Sequence, residues 1–232
     1  MTTIASNLQA VRGAIAAAAA ETGRSAGDVD LLAVSKTFAA DALREAYQAG
    51  QRCFAESYVQ EALGKIAVLR DLPIEWHYIG PIQSNKTRVI AENFMWVHSV
   101  DRLKIAERLS EQRPAHLPPL HVCLQVNISG EDSKSGIAPD EAGVLAHAIA
   151  KLPNLKLRGL MAVPAPSDDV TAQRMIFAQL RKLRDQLNQQ GLQLDTLSMG
   201  MSHDFAAAIA EGATMVRIGT AIFGNRNYGD KT

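Results

Sequence analysis

Cysteine is scarce in this chain of 232 residues: there are two, Cys53 and Cys123, far apart in sequence. That number and separation exclude a disulfide framework and the clustered ligands of a zinc site, and leave two reduced core thiols in a reducing compartment. Net charge is also lacking. Lys+Arg and Asp+Glu number 24 each, so the formal net charge is zero. A neutral chain has no electrostatic footprint for nucleic acid or an anionic membrane, although a local basic pocket for a small phosphorylated ligand stays open. No run reaches the roughly 18 apolar residues needed to cross a bilayer. The alanine run at 16–20 imitates a signal-peptide core. It follows Ile4, Leu8, Val11 and Ile15 at helical spacing with no basic leader before them, so it reads as an amphipathic helix of a mature cytoplasmic protein.

What is present is the composition of a soluble globular protein, 47% hydrophobic and 21% charged. Strand-like and helix-like runs alternate almost without interruption. The apolar runs at 31–35, 53–56, 75–79, 95–99, 120–128, 155–163, 196–199 and 215–218 read as strands, with 120–128 the longest. Between them lie helical patterns, including a long one over 169–189 that carries Ile176, Leu180, Leu183 and Leu187 on one face. Asp101 and Ser202 read as N-caps, and Pro139 as the first-turn proline of a helix. Repeated βα units imply a parallel sheet, and eight of them favour closure over an open doubly wound sheet. The expectation is an α/β fold: one (β/α)8 TIM-type barrel over residues 1–232, with an extra N-terminal helix.

Active sites of such barrels form at the C-terminal ends of the strands. The first strand delivers Lys36 there, after four apolar residues and Ser35. A lysine at an apolar rim is partly desolvated, which lowers its pKa and frees the amine to attack a carbonyl. The last two strand ends run into turns containing Gly200 and Ser202, and Gly219 and Thr220. Turns at these two positions commonly hold phosphate through backbone N–H groups, with glycine allowing close approach and hydroxyls adding donors. Barrel closure sets the eighth strand beside the first, so the lysine and the phosphate turns become neighbours. A ligand with a phosphate at one end and an aldehyde at the other fits, and pyridoxal 5′-phosphate (PLP) meets that description.

Several runs resemble the pyridoxal phosphate homeostasis protein family, whose barrel is similar to the N-terminal domain of alanine racemase. They are Leu32–Lys36, Tyr58–Glu61, Trp76–Gly80, Gln83–Lys86, Ser133–Gly136, Leu160-Met161, Ser198–Ser202 and Arg217–Gly224. The resemblance spans nearly the whole chain. It implies PLP held as a Schiff base on Lys36, its phosphate facing Ser202, Gly219 and Thr220, and Arg217 near the pyridine nitrogen. One run departs from the family's Phe-Gly-Glu-Asn-Tyr and reads Phe54-Ala55-Glu56-Ser57-Tyr58. Ser57 therefore stands where an asparagine is expected beside the cofactor ring. His77 either points into the barrel mouth or is a hydrogen-bonded core histidine, and Asn127 either contacts the ligand or caps its loop. Lys134 reads as a solvated loop lysine able to capture PLP transiently.

The resemblance implies a protein that buffers or delivers PLP, in transient contact with apo PLP-dependent enzymes. The alternatives are an amino-acid racemase-like enzyme and a Schiff-base aldolase acting on a phosphosugar. Racemisation needs a base on each face of the substrate, and the barrel uses all the residues, leaving none for a second domain to supply one. An arginine at the ring nitrogen keeps that nitrogen unprotonated and the ring a weaker electron sink. An aldolase needs an acid/base group at the lysine, for which Glu56 is the one candidate at a neighbouring strand end. Without a second domain the usual racemase dimer interface is missing, and the expectation is a monomer.

Overall fold

A computed structural model describes residues 3–131 and 134–225. Eight parallel strands close into a barrel in sequence order: β1 Asp30–Val34, β2 Cys53–Glu56, β3 Glu75–Tyr78, β4 Trp96–Val100, β5 Leu120–Gln125, β6 Leu155–Met161, β7 Thr196–Ser198 and β8 Met215–Ile218. Closure comes from β1 pairing with β8, with Leu31 opposite Val216 and Ala33 opposite Ile218. Helices α2 (Ala40–Gln48), α3 (Val59–Val68), α4 (Thr87–Asn93), α5 (Leu103–Gln112), α6 (Ala142–Ile149), α7 (Val170–Gln189), α8 (Phe205–Ala210) and α9 (Thr220–Phe223) follow the successive strands. The additional helix α1 (Ile4–Glu21) buries Leu8, Val11, Ile15 and Ala19 and packs on α2, α8 and α9, covering the seam where β8 meets β1.

Side-chain alternation along the strands produces two cores. Ala33, Phe54, Val97, Val122 and Leu160 face outward, joining the apolar layer under the helices. Leu32, Val34, Ala55, Trp96, Cys123, Met161 and Met215 fill the lumen. Both cysteines are free thiols in strands, and burial pushes each up to about 12.

Four local expectations change. β5 stops at Gln125 rather than running to 128, and β6 is the longest strand. Beyond Gln125 the backbone finds partners in the following loop: Ile137 donates to Gln125 O, and Asn127 donates to Ile137 O. Pro139 opens a turn ahead of α6, with Ala142 N bonded to Pro139 O, and the helix starts three residues later. Arg102, not Asp101, precedes α5, and the Asp101 carboxylate pairs with the Arg102 guanidinium instead. Asp204, not Ser202, is the N-cap of α8, because its carboxylate accepts from Met201 N at 2.6 Å and folds 202–204 into a turn.

Candidate functional site

Strand parity decides where Lys36 points. Leu32 and Val34 are lumen residues and Ser35 faces outward, so Lys36 continues the inward row just past the end of β1. It is half-buried and lines a cavity of about 540 Å³ at the C-terminal mouth of the barrel. Ser57 lies on the same row as Ala55 in β2, and it too lines the cavity. From the neighbouring wall come Ser202 after β7, and Arg217, Gly219 and Thr220 at the end of β8. Closure of β8 on β1 thus brings the lysine and both hydroxyl-bearing turns to one space. The volume falls within the usual range of small-ligand sites, about 300–1,000 Å³.

The turns are shaped for close approach. At Gly219 an added Cβ would lie 3.0 Å from Val34 O, so a side chain there would press on the strand carrying Lys36. Gly200 has φ +92°, and its Cβ would come 2.6 Å from the Cβ of Ala208, so the turn tolerates only glycine without rearrangement. Gly200 itself is buried and does not line the cavity. Moving the helix cap to Asp204 leaves the Ser202 hydroxyl unused by the helix, and Ser202 faces the cavity.

Arg217 forms the floor. Its guanidinium is buried, with Nη1 donating to Ser198 O at 2.6 Å and Ser198 Oγ at 2.8 Å, and Nη2 donating to Ala162 O at 2.8 Å. Burial lowers its pKa to about 10, still far enough above neutral to keep the charge. Two of its five N–H groups stay available to a ligand above it.

Behind Lys36 the backbone is held firmly. Thr37 has φ +73°, the one positive φ at a non-glycine among the described residues. Its N–H donates to Glu61, which also takes the Lys65 ammonium. A threonine in this region is strained and persists only where its surroundings over-determine it.

The structure separates the remaining candidates. His77 is fully buried in the lumen and does not line the cavity; its ring bonds to His98 and Glu75, each at 2.9 Å. Asn127 donates to Glu131 O at 2.8 Å and Lys134 O at 3.4 Å, holding its loop together away from the cavity lining. In the Ser133–Gly136 motif, Ser133 lies outside the described residues. Sequence reasoning overlooked Lys65 and His98, and gave no role to Glu61 and Ser198, which it read only as members of family-like runs. The i,i+4 spacing of Glu61 and Lys65 was the one local signal available.

Barrel, rim lysine and paired turns define the alanine racemase N-terminal class, and the family model described as "Alanine racemase, N-terminal domain" matches residues 6–227. Within it, the chain belongs to the pyridoxal phosphate homeostasis protein family. It is 65% identical over 229 residues to the Pseudomonas aeruginosa protein of that name, covering 99% of this chain and 98% of that one. The structure of PipY from Synechococcus elongatus with PLP bound superposes with a TM-score of 0.84 at 39% identity, covering 96% of this chain and 100% of PipY. Alanine racemase from Corynebacterium glutamicum shares the fold at TM-score 0.72 and 19% identity, with 96% of this chain matching 61% of the racemase.

Proposed function

We propose that this protein binds PLP in the mouth of the barrel, holds it covalently on Lys36, and serves as a reservoir that gives the cofactor up to other proteins. The observation that carries the reading is the convergence of Lys36, the Ser202 turn and the Gly219-Thr220 turn on one cavity floored by a buried arginine. The residues suit the group. A Schiff base forms when the lysine amine adds to the aldehyde carbon and one water leaves, and the rim position keeps that amine partly desolvated. Ser202 and Thr220 offer hydroxyls, and Gly219 offers a backbone without a Cβ, to the phosphate. Arg217 presents N–H groups to the ring nitrogen and keeps its protons. Ser57 stands at the ring side.

The described cavity lining contains no carboxylate. The titratable groups on it are Lys36, Tyr58, His203 and Arg217, and Tyr58 and His203 are exposed. Such a site holds an aldehyde securely without a buried acid/base pair to drive turnover, which favours the reservoir over the racemase-like reading. The localisation proposed is cytoplasmic, where PLP-dependent apoenzymes would be the recipients; among the described residues no helix is long and apolar enough to cross a membrane.

Borohydride reduction of the PLP-loaded protein, followed by peptide mapping, tests the attachment. The pyridoxyl label is expected on the peptide containing Lys36. Label confined to Lys134 or to Lys231, which lies outside the described residues, would overturn it.

A further inference from the structure

Beneath Arg217 a row of hydrogen bonds crosses the inside of the barrel. Arg217 Nη1 donates to Ser198 Oγ at 2.8 Å, Ser198 Oγ lies 2.9 Å from His98 Nδ1, His98 Nε2 lies 2.9 Å from His77 Nδ1, and His77 Nε2 lies 2.9 Å from Glu75 Oε1. The row starts at the foot of β3 and ends under the cavity. β4 and β7 are not neighbours in the sheet, so the His98–Ser198 link spans the lumen itself.

The proton positions follow from the two ends. A carboxylate only accepts, so His77 carries its proton on Nε2. A neutral His77 then accepts at Nδ1, which requires His98 to carry its proton on Nε2 and to accept at Nδ1. Ser198 must therefore donate its hydroxyl proton to His98. The other end gives the same answer independently. A guanidinium only donates, so Ser198 Oγ accepts from Arg217, and His98 Nδ1 is the acceptor for the proton of this buried hydroxyl. Burial favours the neutral form of both imidazoles, lowering His77 and taking His98 well below the ordinary histidine value, helped there by the positive charge of Arg217. Every bond points the same way, from the cation to the anion. Cys53, Glu75 and His77 bring donor atoms within 4.8 Å of one another, but the His77 lone pair a metal would need is occupied by the proton directed at Glu75.

We infer that Glu75, His77, His98 and Ser198 form a directional hydrogen-bond wire whose role is to hold the Arg217 guanidinium in a single orientation beneath the ligand cavity. The wire keeps a Ser198 lone pair turned toward Arg217. The orientation matters because the guanidinium is buried where water cannot solvate it, with Asp204 the carboxylate that offsets its burial. Ser198 and His98 are thus positioning residues for the ring-nitrogen contact, at a remove from the ligand. This role rests on the reading of the cavity as a PLP site, whereas the wire itself does not.

Two measurements separate these layers. The first uses the protein without added ligand: 15N NMR of the imidazoles should show His77 and His98 both neutral and both protonated at Nε2 at pH 7. An Nδ1 proton or an imidazolium at either position overturns the wire. The second compares PLP affinity and the absorption band of bound PLP in wild type, His98→Phe and His98→Gln. Phenylalanine fills the ring space without hydrogen bonds, and glutamine restores one donor and one acceptor. Binding is expected to weaken about tenfold or more in H98F, with a shifted band, and to recover at least in part in H98Q. A folded H98F, judged by its near-UV circular dichroism, with wild-type affinity and spectrum overturns the positioning role. If H98F fails to fold, the same comparison on Ser198→Ala decides, with the same loss expected and wild-type behaviour overturning the role. Wild type that binds no PLP defeats the cofactor reading and leaves the tautomer result standing.

Discussion

The Lys65 ammonium donates to the carbonyl oxygen of Ser35 at 2.8 Å, the peptide oxygen immediately before Lys36. On the other side of Lys36, the Thr37 N–H donates to Glu61, and Glu61 is itself paired with Lys65. One buried lysine on α3 therefore ties down both peptide neighbours of the reactive lysine. Lys65 Nζ also contacts Glu56 Oε1 at 2.7 Å, and that oxygen takes the Ser35 hydroxyl at 2.6 Å. The cluster lies outside the sheet while Lys36 lies inside, so it acts through the backbone of the strand end.

Replacing Lys65 by methionine should thus do more than lower stability. Removing one partner of a buried ion pair strands the other, at about 3–5 kcal/mol. Urea unfolding should show that loss, and the Thr37 backbone should relax from its positive φ. With the strand end loosened, the rate at which PLP attaches to Lys36, followed by absorbance, should fall even where the variant is fully folded. An unchanged rate would mean that the turn holds Lys36 without help from α3.

Glu56 gives a pH signature. Desolvation raises its pKa, and the Lys65 contacts only partly oppose this. Oε1 carries both hydrogen bonds, while Oε2 is buried without a partner among the described residues, which makes a proton on Oε2 inexpensive. A carboxyl whose folded pKa exceeds its unfolded one adds stability that is full below the unfolded value and is lost as pH rises through the folded one. Glu56→Gln removes that dependence. Wild type should therefore lose stability relative to Glu56→Gln as pH rises above about 4.3, by at most about 1.4 kcal/mol per pH unit. Urea midpoints of both proteins from pH 4 to 7.5 provide the check; a wild type that gains stability relative to Glu56→Gln with rising pH would contradict the burial argument.

The reach of sequence reasoning is visible in these clusters. Eight βα units and the extra helix were legible because buried parallel strands are apolar runs with sharp ends, and β2 and β8 agree with their expected bounds residue for residue. The rim position of Lys36 was legible because it follows from one local fact, the end of an apolar strand, whereas the inward parity of Leu32 and Val34 that turns it to the cavity is seen only in the fold. Caps and the exit from β5 were not, since Asp204 and Ser202 are equally good capping types, and β5 ends where loop carbonyls outcompete the sheet. The link between His98 and Ser198 was invisible for a different reason. They meet across the lumen from residues 100 apart, and such a contact leaves no periodic trace.

Thr220 is exposed at the start of α9 and lines the cavity, so its hydroxyl is positioned for a ligand rather than for the fold. Replacing it by alanine should weaken PLP binding by about 1–3 kcal/mol, the usual range for a hydrogen bond to a charged group. Thermal stability without ligand should stay within about 0.5 kcal/mol of wild type, as for surface substitutions generally. Pyridoxal, which lacks the phosphate, should bind both proteins alike. Equal weakening of PLP and pyridoxal in calorimetry would place the phosphate elsewhere.

The loaded protein should not racemise or decarboxylate amino acids at enzymatic rates. Bound PLP supplies an electron sink, and its strength depends on a proton at the ring nitrogen. Arg217 keeps its own proton, because even with burial its pKa falls only to about 10, and three of its N–H groups are engaged by Ser198 and Ala162. A sink left weak in this way must be matched by strong bases on both faces of the substrate, and the described cavity lining lacks a carboxylate. His77 cannot take that part, since its lone pair and its proton are both committed within the lumen wire. Incubation with each common L-amino acid should leave enantiomeric purity unchanged, while a PLP-dependent apoenzyme mixed with the loaded protein should regain activity. Turnover at about 1 s⁻¹ or faster would overturn the reservoir reading. Tyr58 and His203, the exposed titratable groups on the cavity wall, would then be the first residues to replace in search of the second base.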